Sequence, residues 1–389
     1  MRITSLEATP VAVPYRRPEQ WAYGVRQGLV SVLLQVHTDD GVVGLGEAPA
    51  YPSADIVQAV LRSVEPLVVG EDPMTIERLA AKIDIVGTWH HVQATSPAIA
   101  AVEMACWDIL GKVCGQPVCA LMGGRVRDRA EEISYLGLDT PDVMSDLAAE
   151  SVQAGYRTLY FKVGSDDPEL DIDRVRAVRA GAGADARLRV DANESWSAAA
   201  TIATVRRMAE LGLEFIEQPV SGRNLAEMAY VRSRLDVPVL ANEASWTRHD
   251  QLAVIGAGAA DAISVDNQLD GGLLNLKCSA GLCDAAGFPV VKHSLGELGV
   301  ATAAALHVIC SSPNFLYANQ AYTALLSDDV LKGNPLDPRD GTLAVPAGPG
   351  LGVTLDDEKV TRYSEEFARA GASYSFGDSA RTTPLMPKR

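Results

Sequence analysis

The chain has 389 residues, 47% hydrophobic and 22% charged, a globular composition in a length greater than one ordinary domain. Its formal net charge of −16 and pI near 4.8 argue against nucleic acid or an anionic membrane surface as partner, although a bound cation could still reverse the local sign for an acidic substrate. No apolar run is long enough to span a membrane, the first residues show no basic-then-apolar leader, and the six cysteines lack metal-site spacing, so reduced thiols and a cytoplasmic location are the expectation.

Taken in order, the alternation predicts strands over 3–13, 30–36 and 42–47, with Asp39-Asp40-Gly41 as the hairpin turn between the last two. Pro14 to Gly28, carrying Trp21 and Tyr23, reads as a loop too long for a tight turn, of the kind that serves as a lid or binding loop. Helical periodicity follows at 54–67, 75–85 and 97–113, giving an α+β domain over 1–125.

From Glu132 the pattern changes. Strands are predicted at 133–138, 157–163, 187–191, 213–217, 238–242, 261–266 and 289–293. Each is followed by a helix (141–154, 169–180, 198–211, 224–234, 247–256, 271–286 and 298–310), and a last short strand falls near 315–318. Repeated strand–helix units of this number favour a closed, modified (β/α)7β barrel of the TIM type over 126–320. The segment 321–389, with a charged helix near 356–369, has no further units and is expected to return to the N-terminal capping domain.

Three of the barrel strands end in an acid: Asp191, Glu217 and Glu243, each 26 residues after the one before. Carboxylates on successive parallel strands converge on one mouth, and a hard divalent cation is the usual reason to tolerate their repulsion. The other strand ends carry Tyr160 and Lys162, Asn193 just beyond Asp191, Asp266, and His293. Any one of these acids could be a surface or capping residue, but solvated charges do not select strand ends as a set. Lys162 is either an ion-pair partner of the acids or a base. A lone histidine is more often a core residue than a catalyst; Asp266 one strand earlier shifts that balance, because a carboxylate on one ring nitrogen orients the imidazole. Lysine on one side and an Asp–His pair on the other suit proton transfer at carbon.

These residues, with Gly44-Leu45-Gly46-Glu47, the stretch from Ala101 to Lys112, Phe215-Ile216-Glu217-Gln218-Pro219 and Gly271-Gly272, resemble the enolase superfamily, within it the mandelate racemase/muconate-lactonizing group. The resemblance spans nearly the whole length. It implies one Mg²⁺ per subunit on Asp191, Glu217 and Glu243, a small-molecule carboxylate as substrate, and a homo-oligomer, dimer or octamer. Lys162 matches the second lysine of the family's Lys-x-Lys motif. Asp266 with His293 resembles the mandelate racemase branch, where the muconate-lactonizing branch has a lysine. Two positions depart from that branch: Tyr160 replaces the first lysine, and the segment from Asn314 to Tyr317 lacks the acid expected near the end of strand eight.

The expectation is therefore abstraction of a proton α to a carboxylate through an enediolate, in an acid-sugar dehydratase that yields a 2-keto acid. A racemase or epimerase, or a sugar-lactone or anhydro-sugar cycloisomerase, would use the same site, and a non-catalytic barrel that only binds is the reading outside enzymes. Tyr160, Asn193, Glu297, Trp21, Tyr23 and Tyr51 are the candidate substrate contacts.

Overall fold

The computed structural model describes residues 1–21, 24–51, 53–87, 92–165 and 167–370. Three antiparallel strands open the chain: β1 (Ile3–Trp21), β2 (Gly24–Thr38) and β3 (Val43–Pro49). The Asp39-Asp40-Gly41 turn forms as expected, with Gly41 at φ +79° donating to the Thr38 carbonyl at 3.1 Å. The expected long loop over 14–28 does not form. The ladder continues through it, interrupted only by a register shift between Pro14 and Glu19. Proline cannot donate to a ladder, and beside it the ribbon pairs instead with the returning C-terminal segment, Tyr15 opposite Leu326 and Arg16 donating to the Leu325 carbonyl at 2.8 Å.

Helices α1 (Ala54–Val68), α2 (Ile76–Gly87) and α3 (Val92–Cys114) cover this sheet, and a short α4 (Val118–Leu121) follows. The Gly44-Leu45-Gly46 motif now has a steric reason. A Cβ on Gly44 would lie 2.2 Å from the Ala105 carbonyl oxygen and one on Gly46 1.9 Å from that of Ala101. Strand β3 therefore rests directly on the backbone of α3, glycines against alanines. A sequence with larger residues at these points would force the layers apart.

The barrel follows a small strand β4 (Arg129–Glu131) that the sequence did not reveal. Its strands are β5 (Ile133–Leu136), β6 (Thr158–Lys162), β7 (Arg187–Asp191), β8 (Leu213–Glu217), β9 (Val239–Ala241), β10 (Ala262–Val265) and β11 (Val290–Lys292). They pair in chain order, all parallel. Between them run α5 (Pro141–Gln153), α6 (Pro168–Ala182), α7 (Ala198–Ala209), α8 (Leu225–Arg232), α9 (Arg248–Ala257) and α10 (Leu273–Ala285), with α11 (Gly299–Cys310) after β11. The expected eighth strand is not a regular strand. Residues 314–320 close the ring by single bridges, Phe315 to Val290 and Asn319 to Glu132, with the Ile133 amide donating to the Asn319 carbonyl at 3.0 Å. Seven strands and this segment make eight positions, enough for side chains alone to fill the interior.

After the ring, β12 (Thr342–Ala344) pairs antiparallel with β4. The last described helix, α12 (Asp357–Ala370), lies against the N-terminal unit, with Phe367 packed on its core. The C-terminal segment thus completes the cap. No helix among the described residues is long and apolar enough to cross a membrane.

Candidate active site

Each acid of the regular series ends a strand, or follows one, on the mouth side of the ring: Asp191 ends β7, Glu217 ends β8, and Glu243 lies just past β9. Asp191 and Glu217 are fully buried. Burial first, and then the charge of Asp191, pushes Glu217 well above the usual carboxylate range and Glu243 up to about 8. Such crowding marks a place that lacks positive charge.

Part of the compensation comes from Lys162 at the end of β6. Its Nζ donates to Asp191 Oδ2 at 2.5 Å and to the Tyr160 hydroxyl at 2.9 Å, and that hydroxyl donates to the same Asp191 oxygen at 2.5 Å. Alternation along β6 aims Tyr160 and Lys162 at one face, as the sequence implies. Burial works against the lysine's charge, but Asp191, Glu217 and Glu243 outweigh it and raise the ammonium's pKa above its ordinary value. Burial, then the charges of Asp191 and Glu217, hold the Tyr160 phenol well above its ordinary range, so it is a proton donor here.

Amides hold the acids from behind. Asn193 donates its backbone N–H to Asp191 Oδ1 and its Nδ2 to Glu243 Oε1, both at 2.8 Å. It does so from a left-handed φ of 43°, a conformation asparagine tolerates better than most residues. Asn242 Nδ2 donates to Glu217 Oε1 at 2.8 Å, while Gln218 Oε1 accepts from the backbone N–H groups of Asn242 and Ala244 at 2.9 and 3.1 Å. Glu243 Oε2 is buried and accepts no hydrogen bond from any described residue.

On the next two strands, His293 Nδ1 lies 2.8 Å from Asp266 Oδ2. Asp266 Oδ1 is already held by the backbone N–H groups of Gln268 and Leu269 at 2.5 and 3.0 Å. Burial opposes the Asp266 charge, but the hydrogen bond and charge of His293 prevail and keep its carboxyl below the ordinary range. A carboxylate at Nδ1 fixes the proton there and leaves Nε2 for chemistry. The structure therefore brings together Tyr160, Lys162, Asp191, Asn193, Glu217 and Glu243, and separately joins Asp266 to His293.

The remaining candidates fall differently. Glu297 is buried and bonded to Lys292 Nζ and to the Ser294 hydroxyl. It does not cap α11; Glu47 of the cap does, accepting from the Leu298 and Ala301 amides at 2.6 and 2.9 Å. Tyr51 is half-buried with the Arg26 guanidinium 6.0 Å from its ring centroid. Tyr23 and the Trp21 side chain lie outside the described residues. Sequence reading missed Asn242, which faces the site from the end of a short strand, and Gln320, whose amide comes within 3.4 Å of Glu217 Oε2. It also missed Tyr135, whose ring lies 5.4 Å from that of Tyr160 and whose hydroxyl donates at 2.5 Å to Glu19 on the β1–β2 ribbon. Asn242 adjoins a predicted acid and could have been found; no periodicity marks Gln320.

The donor set suits a hard divalent ion: two buried carboxylates and the half-buried Glu243 with its unused oxygen, steadied by amides. Among the described residues no three such side chains are gathered into a finished metal cage. Lys162 and Tyr160 both donate to Asp191 Oδ2.

Comparison with known proteins agrees with this architecture. Residues 3–123 match the family described as mandelate racemase / muconate lactonizing enzyme, N-terminal domain, and residues 143–360 match the enolase C-terminal domain-like family. The chain is 30% identical over 318 residues to the N-succinyl-L-Arg/Lys racemase of Bacillus cereus, covering 80% of this chain and 85% of that protein. It is 32% identical to the chloromuconate cycloisomerase of Cupriavidus pinatubonensis, covering 93% and 97%. The crystal structure of a dipeptide epimerase from Enterococcus faecalis, complexed with Mg and the dipeptide L-Leu-L-Tyr, superposes with a TM-score of 0.85 at 26% identity, covering 91% of this chain and all of that one.

Proposed function

The chain belongs to the mandelate racemase/muconate lactonizing enzyme family of the enolase superfamily, and from that premise we propose that it is an isomerase that removes and returns the proton α to a substrate carboxylate. The observation that carries this reading is the two-sided mouth, with Lys162 on β6 and the Asp266-held His293 beyond β11 flanking the acids between them.

Asp191, Glu217 and Glu243 would hold Mg²⁺, which when bound takes up the negative charge that builds on the carboxylate as the α-proton leaves. Lys162 Nζ serves one face of the α-carbon. His293 Nε2 serves the other, its ring fixed by Asp266. One group takes the proton and the opposite one returns it, which inverts the configuration. Tyr160 donates where a second lysine would place another cation, so Lys162 is steadied by a neutral neighbour. The β1–β2 ribbon lies over this side of the mouth, where Leu138 donates to the Gln20 carbonyl at 3.0 Å and Tyr135 to Glu19, and supplies the residues that would meet the rest of the substrate.

The relatives named above are a racemase, a cycloisomerase and an epimerase. They favour isomerisation over the sugar-acid dehydration expected from the sequence. Incubating a panel of α-substituted carboxylates with the protein and Mg²⁺ in D₂O tests the choice. Deuterium at the α-carbon together with the inverted product is the expected result. Formation of a 2-keto acid would return the assignment to dehydration, and an isomer that differs by ring opening or closure rather than by configuration at the α-carbon would move it to cycloisomerisation.

A further inference from the structure

The three acids end or follow β7, β8 and β9, so they occupy one side of the eight-position ring with β8 in the middle. Counting from β8, the closing segment is the fourth position in either direction. A carboxylate held at the acids therefore turns its α-substituent across the mouth, toward β11, the closing segment and β5. That opposite arc is lined by tyrosines.

Tyr135 stands at the Lys162 end of the arc, its ring centroid 6.0 Å from Nζ. Tyr322 comes next, 5.7 Å from Tyr135 between ring centroids, and is fixed by a turn in which its carbonyl accepts from the Leu325 and Leu326 N–H groups at 2.9 and 3.2 Å. Tyr15 on β1 continues the row at 6.2 Å, with the two ring planes 28° apart. Its hydroxyl lies beside the turn that follows His293, where a Cβ built on Gly296 would come within 3.8 Å of it. One row of aromatic rings thus runs from the side of one proposed proton carrier to the side of the other.

Two features say what such a row would accept. The ribbon brings one acid and one base to it, Glu19 and Arg26, and these meet each other at 3.4 Å while the Tyr135 hydroxyl already donates to Glu19. Their side chains are only 2% and 11% exposed, so a charged substituent would have to break the pair or sit beside it uncompensated. Aromatic rings next to a closed ion pair favour a neutral ring that stacks on them. The second feature is Tyr15, which is 7% exposed and whose buried hydroxyl has no hydrogen-bond partner among the described residues. A buried tyrosine hydroxyl ordinarily finds one. A polar atom on the ligand would supply it.

We infer that the substrate's α-substituent is a neutral aromatic group carrying a hydroxyl or carbonyl at its far end, with its ring against Tyr135 and Tyr322 and its polar tip on the Tyr15 hydroxyl. The inference rests on the proton-transfer reading above.

The test is calorimetry on the full chain with saturating Mg²⁺. Oxalate, a planar dianion shaped like an enediolate and without a substituent, reports on the acids and the proton carriers alone. A set of α-hydroxy acids then reports on the row: 3-phenyllactate, 3-(4-hydroxyphenyl)lactate, 2-hydroxyglutarate and 6-amino-2-hydroxyhexanoate. The expected result is that both aryl acids bind at least about tenfold tighter than the two with charged side chains. The phenolic hydroxyl is expected to add roughly fivefold, the worth of one hydrogen bond. In Tyr15→Phe the margin of the hydroxyphenyl acid over the phenyl acid should shrink to within about twofold. A charged acid that binds as tightly as the aryl acids, or equal affinity for the two aryl acids, would overturn the inference; wild-type protein alone decides this, so a variant that fails to fold does not. A margin that persists in Tyr15→Phe would overturn the placing of the polar tip. In each of these outcomes oxalate binding leaves the proton-transfer reading standing. Wild-type protein that binds Mg²⁺ but not oxalate would overturn that reading and this inference with it.

Discussion

Asp191 is the most heavily used carboxylate of the mouth: Oδ1 takes the Asn193 amide, and Oδ2 takes both Lys162 and Tyr160. Replacing it removes a proposed ion ligand and the partner of the proposed base together. Asp191→Asn is expected to abolish Mg²⁺ binding in a calorimetric titration. Asn242→Leu removes only the amide that orients Glu217 and is expected to weaken Mg²⁺ roughly 10- to 100-fold, the usual cost of losing an orienting partner. Equal affinity in wild type and both variants would remove these acids from the metal site. At this scale the sequence was most legible where alternation along a strand decides which way a side chain points, as for Tyr160, Lys162 and Asp191. It was silent on Gln320, because an irregular closing segment has no alternation to read.

At the level of elements, the cap and the barrel are joined by buried acids that cap helices across the interface. Glu47 on β3 accepts from the first turn of α11, and Glu103 on α3 accepts from the Leu273 and Leu274 amides of α10 at 2.7 and 2.9 Å. Positive helix ends attract such groups, but burial dominates and pushes each from 4.5 to about 7. Folded-state pKa values above the unfolded ones mean the folded protein binds more protons between pH 4.5 and 7. The stability each contributes is therefore full below pH 4.5 and is lost as pH rises through 7, up to about 3 kcal/mol apiece. His307 on α11 has the opposite sign. Its Nδ1 accepts from the Cys119 N–H at 3.2 Å and its Nε2–H donates to the Leu351 carbonyl at 3.1 Å, and burial lowers it from 6.5 to about 4. It stabilises the neutral-pH protein and loses that contribution as pH falls from 6.5 to 4. In melting curves over this range, Glu47→Gln should flatten the decline toward neutral pH, and His307→Gln should flatten the decline toward acid. Unchanged pH profiles would contradict both assignments. None of this was readable in advance. The glycines of Gly44-Leu45-Gly46-Glu47 were visible, but that they seat β3 on α3 and so deliver Glu47 to α11 is a property of packing.

The described residues form a parallel ring whose strand ends gather acids, a lysine and an Asp–His pair, beneath a cap built from the N-terminal unit and α12. Alternating strands and helices made the barrel and its mouth legible, because each unit is local. The cap ribbon was misread as a loop, because the register shift between Pro14 and Glu19 breaks its alternation, and the partner at that break arrives some 300 residues later, Leu326 opposite Tyr15. The central claim is that Lys162 and His293 serve opposite faces of one carbon. It is tested most directly by Lys162→Ala and His293→Asn variants, each given the two epimers separately in D₂O with Mg²⁺, on the first substrate that the deuterium panel identifies. The account predicts that both variants lose isomerisation, while each still exchanges the α-proton of one epimer, and that the two variants retain opposite epimers. Loss of exchange from both epimers in one variant, with full activity in the other, would contradict it.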